Sequence, residues 1–316
     1  MRSSSFAVLR HLADGRLRSG PAIAAALGLP RGAVSHALRE LEANGLAVHA
    51  VPGRGYRLAA VFDALDAAAI EAAGSRVEVL DECESTNAAL AARAAAGAPS
   101  GTALVCELQL AGRGRRGAGW YSGLGTSLTI SVLWRFARGT AGLSGLPLAI
   151  GVACARALAS LGANDIGLKW PNDVVRGAGK LGGILVEASG EARGSATAVI
   201  GVGINVRLPA GAKRAIGRPV ADLGGAIGTR NALAARLAAE IASAAETFER
   251  AGFGAFREEW LGRHAWQGRD VRVLAPAQRT VDGVAVGVAD DGALIVDTVR
   301  GPERFHAAEV SLKLAA

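Results

Sequence analysis

The chain of 316 residues is short of the side chains that most often carry chemistry: three cysteines, five histidines, one methionine and 4% aromatics. Cys83, Cys106 and Cys154 form no Cys-x-x-Cys pair, so no zinc site or disulfide framework is indicated, and they read as small buried hydrophobes. The histidines show no metal-ligand spacing and no Ser-His-Asp arrangement is visible, so no metal set can be named. No apolar run reaches the roughly 20 residues of a membrane-spanning helix. Residues 1–5 lead into a charged amphipathic segment and not into the apolar stretch of a signal peptide. A cytoplasmic chain with no membrane partner is therefore expected.

Lysine is scarce as well. Lys169, Lys180, Lys213 and Lys313 are the only lysines among 35 basic residues. In a chain that otherwise writes positive charge as arginine, two lysines close together in a glycine-rich stretch stand out. Half the residues are hydrophobic and a fifth are charged, which fits a folded chain with more than one domain. The net charge is +7, and it is unevenly placed. Residues 1–60 hold Arg2, Arg10, Arg16, Arg18, Arg31, Arg39, Arg54 and Arg57 against Asp14, Glu40 and Glu42. A basic terminal module on a larger body points to nucleic acid.

Three segments follow from the periodicity. In residues 1–62, Phe6, Leu9 and Leu12 mark one helix, and Pro21 stands near the start of a second. Val34, Leu38 and Leu41 put an apolar stripe on a third helix over 31–43. Its opposite face carries Arg31, Ser35, His36 and Arg39, and a hairpin follows with Arg54 at its tip. This is the pattern of a winged helix-turn-helix, and those five residues are the DNA-binding candidates. The alternative is a three-helix docking or dimerisation domain. Residues 63–267 alternate strands (77–80, 102–107, 127–134, 166–170, 183–187, 198–205) with alanine-rich helices (64–73, 146–161, 231–248), an α+β pattern with a mixed sheet. Residues 268–316 read as short strands (271–274, 284–288, 294–297, 309–314) with a turn at Asp290-Asp291-Gly292, a small β-barrel of SH3-like size.

Two motifs carry the chemistry. Gln109-Leu110-Ala111-Gly112-Arg113-Gly114-Arg115-Arg116-Gly117 follows a strand, and its glycines let backbone amides approach an anion that three arginines surround. It is no P-loop, because neither Lys-Ser nor Lys-Thr follows. Trp120, just beyond, could pack on a flat ligand. Lys169-Trp170-Pro171-Asn172-Asp173 is the second motif, in which Pro171 is expected to force an extended exit that presents Asn172 and Asp173 at a strand end. Lys180 lies at a hairpin-like return, where an ammonium could bridge a carboxylate and a phosphate. Glu84-Ser85-Thr86-Asn87 reads as an ordinary helix cap or as a set of polar groups offered to a ligand. Gly201-Val202-Gly203-Ile204-Asn205 lacks the third glycine and the helix of a dinucleotide fingerprint, which excludes NAD but leaves Asn205 available to a nucleotide or metal.

Taken together, Ser85 to Asn87, Gln109 to Gly117, Lys169 to Asp173, Lys180 to Leu185 and the Gly53-Arg54-Gly55-Tyr56 turn resemble bifunctional biotin–protein ligases in order and approximate spacing. The resemblance covers essentially the whole chain. It implies a central domain of the class II synthetase-like type and an AMP-forming reaction that joins biotin to ATP (with Mg²⁺) as biotinyl-5′-adenylate. Biotin is then passed to a lysine of biotin carboxyl carrier protein. By match, Ser85, Thr86, Asn87, Gln109, Arg113, Gly114, Arg115 and Lys180 would bind biotin, with Lys180 and Arg115 catalytic. Asn172, Asp173, Asn205 and Trp120 would serve the nucleotide. The same resemblance implies operator DNA as a partner, repression of biotin-synthesis genes, and a homodimer when the adenylate is bound. Two departures stand out. Val220 occupies the place of a tryptophan that packs on adenine, with Arg218 beside it, and Ala118-Gly119 replaces a commonly basic position. The alternatives are a ligand-sensing regulator without turnover, a ligase whose DNA-binding module no longer represses, and a lipoate ligase, which would not be expected to keep both motifs.

Overall fold

In the computed structural model, residues 1–225, 227–274, 279–306 and 311–314 are described. The first helices are Ser3–Leu12 (α1), Gly20–Leu27 (α2) and Arg31–Ala43 (α3), followed by an antiparallel hairpin of Val48–Val51 (β1) and Gly55–Leu58 (β2). Ser19 caps α2 by accepting from the Ala22 amide at 3.2 Å, with Pro21 in the first turn. Gly28 ends that helix at φ 62°, a left-handed backbone that disfavours any side chain. Val34, Leu38 and Leu41 share one buried core with Phe6, Leu9 and Leu12. Gly55 lets the wing close against Arg18, since a Cβ there would lie 2.1 Å from the Arg18 carbonyl oxygen.

A short helix, Ala67–Ala72 (α4), leads into the central domain. Its strands are Glu78–Cys83 (β3), Ala103–Gln109 (β4), Ser127–Phe136 (β5), Ile166–Lys169 (β6), Asp173–Arg176 (β7), Gly179–Gly190 (β8) and Ala196–Asn205 (β9). Its further helices are Thr86–Ala95 (α5), Leu146–Ser160 (α6), Ala210–Ile216 (α7), Arg230–Ala251 (α8) and Arg257–Gly262 (α9). The strands form one mixed sheet in the order β3-β4-β5-β9-β8-β7-β6, with β3–β4 parallel and the other pairs antiparallel. α6 and α8 pack together, and their buried alanines and leucines share the main core with the sheet. Leu90 of α5 packs on Leu133 and Val199, so α5 covers the other face. Residues Thr140–Ser160 are long and apolar enough to cross a membrane by length and composition, but 72% of the 18-residue window that meets the test is buried inside the protein, as in a core helix.

The last five strands are Asp270–Leu274 (β10), Thr280–Val288 (β11), Leu294–Thr298 (β12), Gly301–Phe305 (β13) and Ser311–Leu314 (β14). They form an antiparallel sheet in the order β13-β12-β11-β10-β14. β13 was not anticipated, and residues 309 and 310 of the expected last strand lie outside the described residues.

Three corrections bear on the site. The chain leaves the end of β6 in no extended segment: Trp170-Pro171-Asn172 is the tight turn of a β6–β7 hairpin, with a cis Trp170–Pro171 peptide and Lys169 opposite Asp173. Proline has no N–H to lose at such a turn. β7 was missed altogether, being only four residues long. β8 begins four residues before the expected Gly183, because Gly179, Gly182 and Gly183 blur its alternation; at Gly179 and Gly182 the neighbours leave no room for a side chain, and a Cβ on Gly182 would meet Ile204 at 2.5 Å.

The first module is built into the central domain. Leu108 and Leu124 lie in the same buried cluster as Phe6, Leu9 and Phe62. Arg10 pairs with Asp81, and the terminal amine of Met1 with Glu82. At the junction, Arg230 is 1% and Glu107 3% exposed, and they form an ion pair at 2.6 Å. The other Glu107 oxygen accepts from the Leu65 amide at 2.9 Å, and Arg230 also donates to the Asp63 carbonyl. The Arg230 guanidinium stands 5.3 Å from the Phe62 ring centre.

Candidate functional site

β5 places Ser127, Thr129, Ser131 and Leu133 on one face by strict alternation, and that face lies under α5. There the Ser131 hydroxyl sits 2.8 Å from Thr86 Oγ1 and 2.6 Å from Asn87 Oδ1. Thr86 donates its amide to Gln109 Oε1 at 2.9 Å, and its hydroxyl lies 3.2 Å from the same oxygen. Asn87 Nδ2 donates to Glu187 at 2.7 Å and to the Leu185 carbonyl at 3.2 Å. Ser85 stands at the N-cap position of α5, but its side chain makes no cap hydrogen bond, so the hydroxyl is not spent on the helix. The neutral groups of Thr86, Asn87 and Gln109 line a cavity of about 240 Å³, with Ser131 and the Glu187 carboxylate behind them.

Gly201 and Gly203, two apart on β9, explain the glycine pattern that looked like half a dinucleotide fingerprint. A Cβ on Gly201 would lie 2.3 Å from Asn87 Oδ1, and one on Gly203 would lie 2.5 Å from the Trp120 ring. Both glycines let a side chain lie flat on the sheet. Trp120 is fixed there by its amide, which donates to the Gly112 carbonyl at 2.8 Å. The arginine loop folds back on itself as Gly114 donates to Ala118 at 2.6 Å and Arg113 bridges Gly119. Arg116 adopts φ 56°, a conformation that costs a non-glycine residue energy and is met mainly at functional sites. Trp120 Nε1 and Thr129 Oγ1 are buried without a hydrogen-bond partner among the described residues, a deficit of the kind a polar ligand fills.

Elsewhere along the cavity wall the character changes to charge. Lys180 Nζ pairs with Asp173 Oδ1 at 2.5 Å, the two side chains 17% and 18% exposed. Arg115 donates to Asn172 Oδ1 at 3.2 Å, while Asn172 Nδ2 donates to the Ile184 carbonyl at 2.8 Å. Burial pulls the Arg115 guanidinium below its usual range, with Asp173 opposing and Arg116 adding to the shift. Lys169, Lys180, Arg113, Arg115, Arg116 and Arg218 all line this cavity, and Asp173 is its one carboxylate among the described residues. No cluster of three metal-ligating side chains occurs among the described residues. A single carboxylate fits Mg²⁺ carried in on a polyphosphate, with the phosphates supplying the remaining ligands.

The cavity therefore gathers Ser85, Thr86, Asn87, Gln109, Arg113, Gly114, Arg115, Trp120, Asn172, Asp173 and Lys180. Asn205 is not among its lining. It donates to the carbonyls of Lys180 and Ala221, at 3.2 and 3.0 Å, and so fixes the lysine strand to the segment after α7. It lines an adjoining cavity of about 330 Å³ together with Trp120, Lys180, Arg218 and Val220. Val220 bridges Lys180, and the Lys180 amide donates to Pro219 at 3.1 Å, which tethers the 216–221 segment directly to the lysine. Ser131, Thr129 and Glu187 were missed by the sequence reading. The alternation of polar residues at 127, 129 and 131 on a buried strand was the signal for the first two.

The DNA-binding candidates form a separate face. Arg31, Ser35 and Arg39 are exposed on α3, and Arg54 is exposed at the wing tip. His36 is half-buried, with Nδ1 3.9 Å from Glu40, and is the least available of the five.

Matches to known families fall on these same parts. The biotin/lipoate A/B protein ligase family matches residues 80–205, the biotin protein ligase C-terminal domain residues 268–313, and the IclR helix-turn-helix domain residues 5–50. A helix-turn-helix joined to that ligase domain and its C-terminal partner defines the class, and the chain belongs to the biotin protein ligase family. Among its relatives is the bifunctional ligase/repressor BirA of Escherichia coli (strain K12), 35% identical over 313 residues, 96% of this chain and 95% of that one. The biotin–[acetyl-CoA-carboxylase] ligase of Mycobacterium tuberculosis is 36% identical over 227 residues, 70% of this chain and 83% of that one. The biotin protein ligase from Aquifex aeolicus, solved in complex with biotin and ATP, superposes with a TM-score of 0.63 at 26% identity, covering 76% of this chain and 99% of that one.

Proposed function

We propose that this chain activates biotin with ATP to biotinyl-5′-AMP, transfers it to a lysine of biotin carboxyl carrier protein, and represses transcription through its winged helix. The observation that carries the reading is the change in character along the cavity, from the neutral Thr86–Asn87–Gln109–Ser131 network to cations around Asp173. The neutral network suits a ureido ring, which both donates and accepts hydrogen bonds, and Ser85, Thr86, Asn87 and Gln109 are its binding set. Arg113, Gly114 and Arg115 form the loop over biotin and the adenylate. Asn172, Asp173 and Trp120 serve the nucleotide, with Asn205 holding the strand beneath it. The modules divide at 62/63 and 267/268.

In the first step a biotin carboxylate oxygen forms a bond to the α-phosphorus of ATP, and the bond to the bridging oxygen breaks with its electron pair leaving on pyrophosphate. Lys180 and Arg115 neutralise the charge that builds where the two anions meet; no protein nucleophile is needed. Lys180 exchanges Asp173 for the ligand, and Asp173 is then free to face Mg²⁺ carried by the nucleotide. In the second step the acceptor amine attacks the acyl carbon and AMP leaves, with Asp173 the carboxylate closest to hand for the amine's proton. Over residues 187–190, β8 has no β7 residue beside it and is exposed, and this edge supports the homodimer that would form on adenylate binding.

Incubation with ATP, Mg²⁺, biotin and a biotin carboxyl carrier domain should give streptavidin-reactive carrier. Carrier that stays unmodified at high enzyme concentration would leave the second reading, a ligand-sensing regulator. Repression is tested by a gel shift on DNA upstream of biotin-synthesis genes, expected to tighten with biotin and ATP; no shift under any condition would leave a ligase alone.

A further inference from the structure

Lys169 opens the Lys-Trp-Pro-Asn-Asp motif, and the roles above leave it without one. Its side chain is half-buried and lines the main cavity. Among the described residues its ammonium makes no ion pair; it stands 4.1 Å from the ring centre of Trp266. Lys180, in contrast, is already paired with Asp173. Trp266 belongs to the connector between α9 and β10, and that connector is strapped to β6: the Leu168 amide donates to Arg263 at 2.8 Å and the Ala265 amide to Leu168 at 2.9 Å. The neighbouring Trp170 is pinned from the same side, its Nε1 donating to the Gly292 carbonyl at 3.0 Å in the β11–β12 turn. The connector ahead of β10 thus holds the Lys169 end of the pair, and the β11–β12 turn of the C-terminal module holds the Trp170 end.

We propose that Lys169, positioned by Trp266, is the cation that receives the outer phosphates of ATP and the pyrophosphate that leaves. The inference rests on the ligase reading for its substrate but concerns a different group. An aromatic face holds an ammonium in place without neutralising its formal charge, so the cation stays available to an anion. Burial disfavours the charged form of Lys169, and Lys180 and Arg218 oppose it further while Asp173 alone favours it. A polyphosphate entering among these groups relieves that repulsion. Lys180 meets the reacting carboxylate and the α-phosphate, which leaves Lys169 for the charge that departs when the bond to the α-phosphorus breaks.

The test compares Lys169→Ala, Lys169→Arg, Trp266→Ala and Trp266→Phe in the full chain, each checked for a native melting transition. Binding of pyrophosphate and of ATP is measured calorimetrically without turnover, beside the KM values for ATP and biotin. Lys169→Ala should weaken pyrophosphate and ATP about tenfold or more and leave the KM for biotin within about twofold, since one lost charge-assisted contact is worth a factor of this order. Lys169→Arg should recover part of the loss. Trp266→Ala should shift the same constants in the same direction by a smaller factor, and Trp266→Phe, which keeps an aromatic face, should restore them. Unchanged pyrophosphate binding in Lys169→Ala, or an equal rise in the KM for biotin, would overturn the assignment. Loss in Trp266→Phe as large as in Trp266→Ala would overturn the role of the ring. Wild-type protein that binds pyrophosphate through Lys169 but never modifies biotin would sustain this inference and defeat the ligase reading.

Discussion

The cavity and the α3–wing face both collect arginines, and they do so under opposite physical conditions. In the cavity the lining holds one carboxylate, Asp173, with Arg113 paired to Glu187 behind it, burial shifts Arg115 and Lys169, and polar groups are tied into chains of contacts. On the α3–wing face Arg31, Arg39 and Arg54 stand exposed in water. Charges of the first kind act as a unit, so single losses are large and non-additive. Charges of the second kind are screened by salt and add nearly independently. The same residue type therefore provides chemistry in one place and affinity in the other.

The largest expected effect comes at the junction that joins the two regions. Glu107→Ala leaves Arg230 buried without its carboxylate and should cost about 3–5 kcal/mol in a denaturant titration. A loss under about 1 kcal/mol would show that the two regions do not depend on this pair. Next is the cavity floor. Gly203→Val would drive a side chain into Trp120 and, at about 1–3 kcal/mol of overpacking, should weaken biotin and ATP binding by about tenfold while leaving DNA binding without ligand unchanged. Near-normal biotin affinity would remove the indole from the pocket's architecture. On the exposed face, Arg39→Ala and Arg54→Ala should each lower the salt dependence of operator binding by about one unit of slope, additively, with ligase turnover unaltered. A strongly cooperative loss would break the contrast between the regions.

The smallest effect concerns pH. Burial lowers the His264 pKa from 6.5, so the unfolded chain binds a proton that the folded chain resists. Its contribution to stability is therefore fully present above pH 6.5 and declines as pH falls through and below that value. Gln267 Oε1, which lies 3.1 Å from Nδ1 and can accept its proton, opposes the shift. His264→Gln should flatten the acid side of the stability profile; an unchanged profile would show that His264 is not the titrating group.

Legibility from sequence followed the same division. α3 emerged at 31–43 because three apolar residues at helical spacing lie between Pro30 and Asn44-Gly45, each a clear stop. β7, α7 and β13 were invisible because each is short, and alanine and glycine flatten every periodicity around them. The motif residues of the candidate site fall into one cavity apart from Asn205, since loops between adjacent strands bring them together whatever the exact strand ends. The Glu107–Arg230 pair could not be read, because its partners lie 123 residues apart and only the packed junction makes them neighbours.

The central claim is that the cavity, with Lys180 at its charged end, performs the adenylation. Biotin-dependent exchange of labelled pyrophosphate into ATP tests it most directly. Wild-type protein should exchange only when biotin is present, and Lys180→Ala, folded by its melting transition, should lose about 10²–10³-fold or more, the usual cost of removing one group that stabilises transition-state charge. No biotin-dependent exchange by wild-type protein, or a near-normal rate in Lys180→Ala, would contradict it.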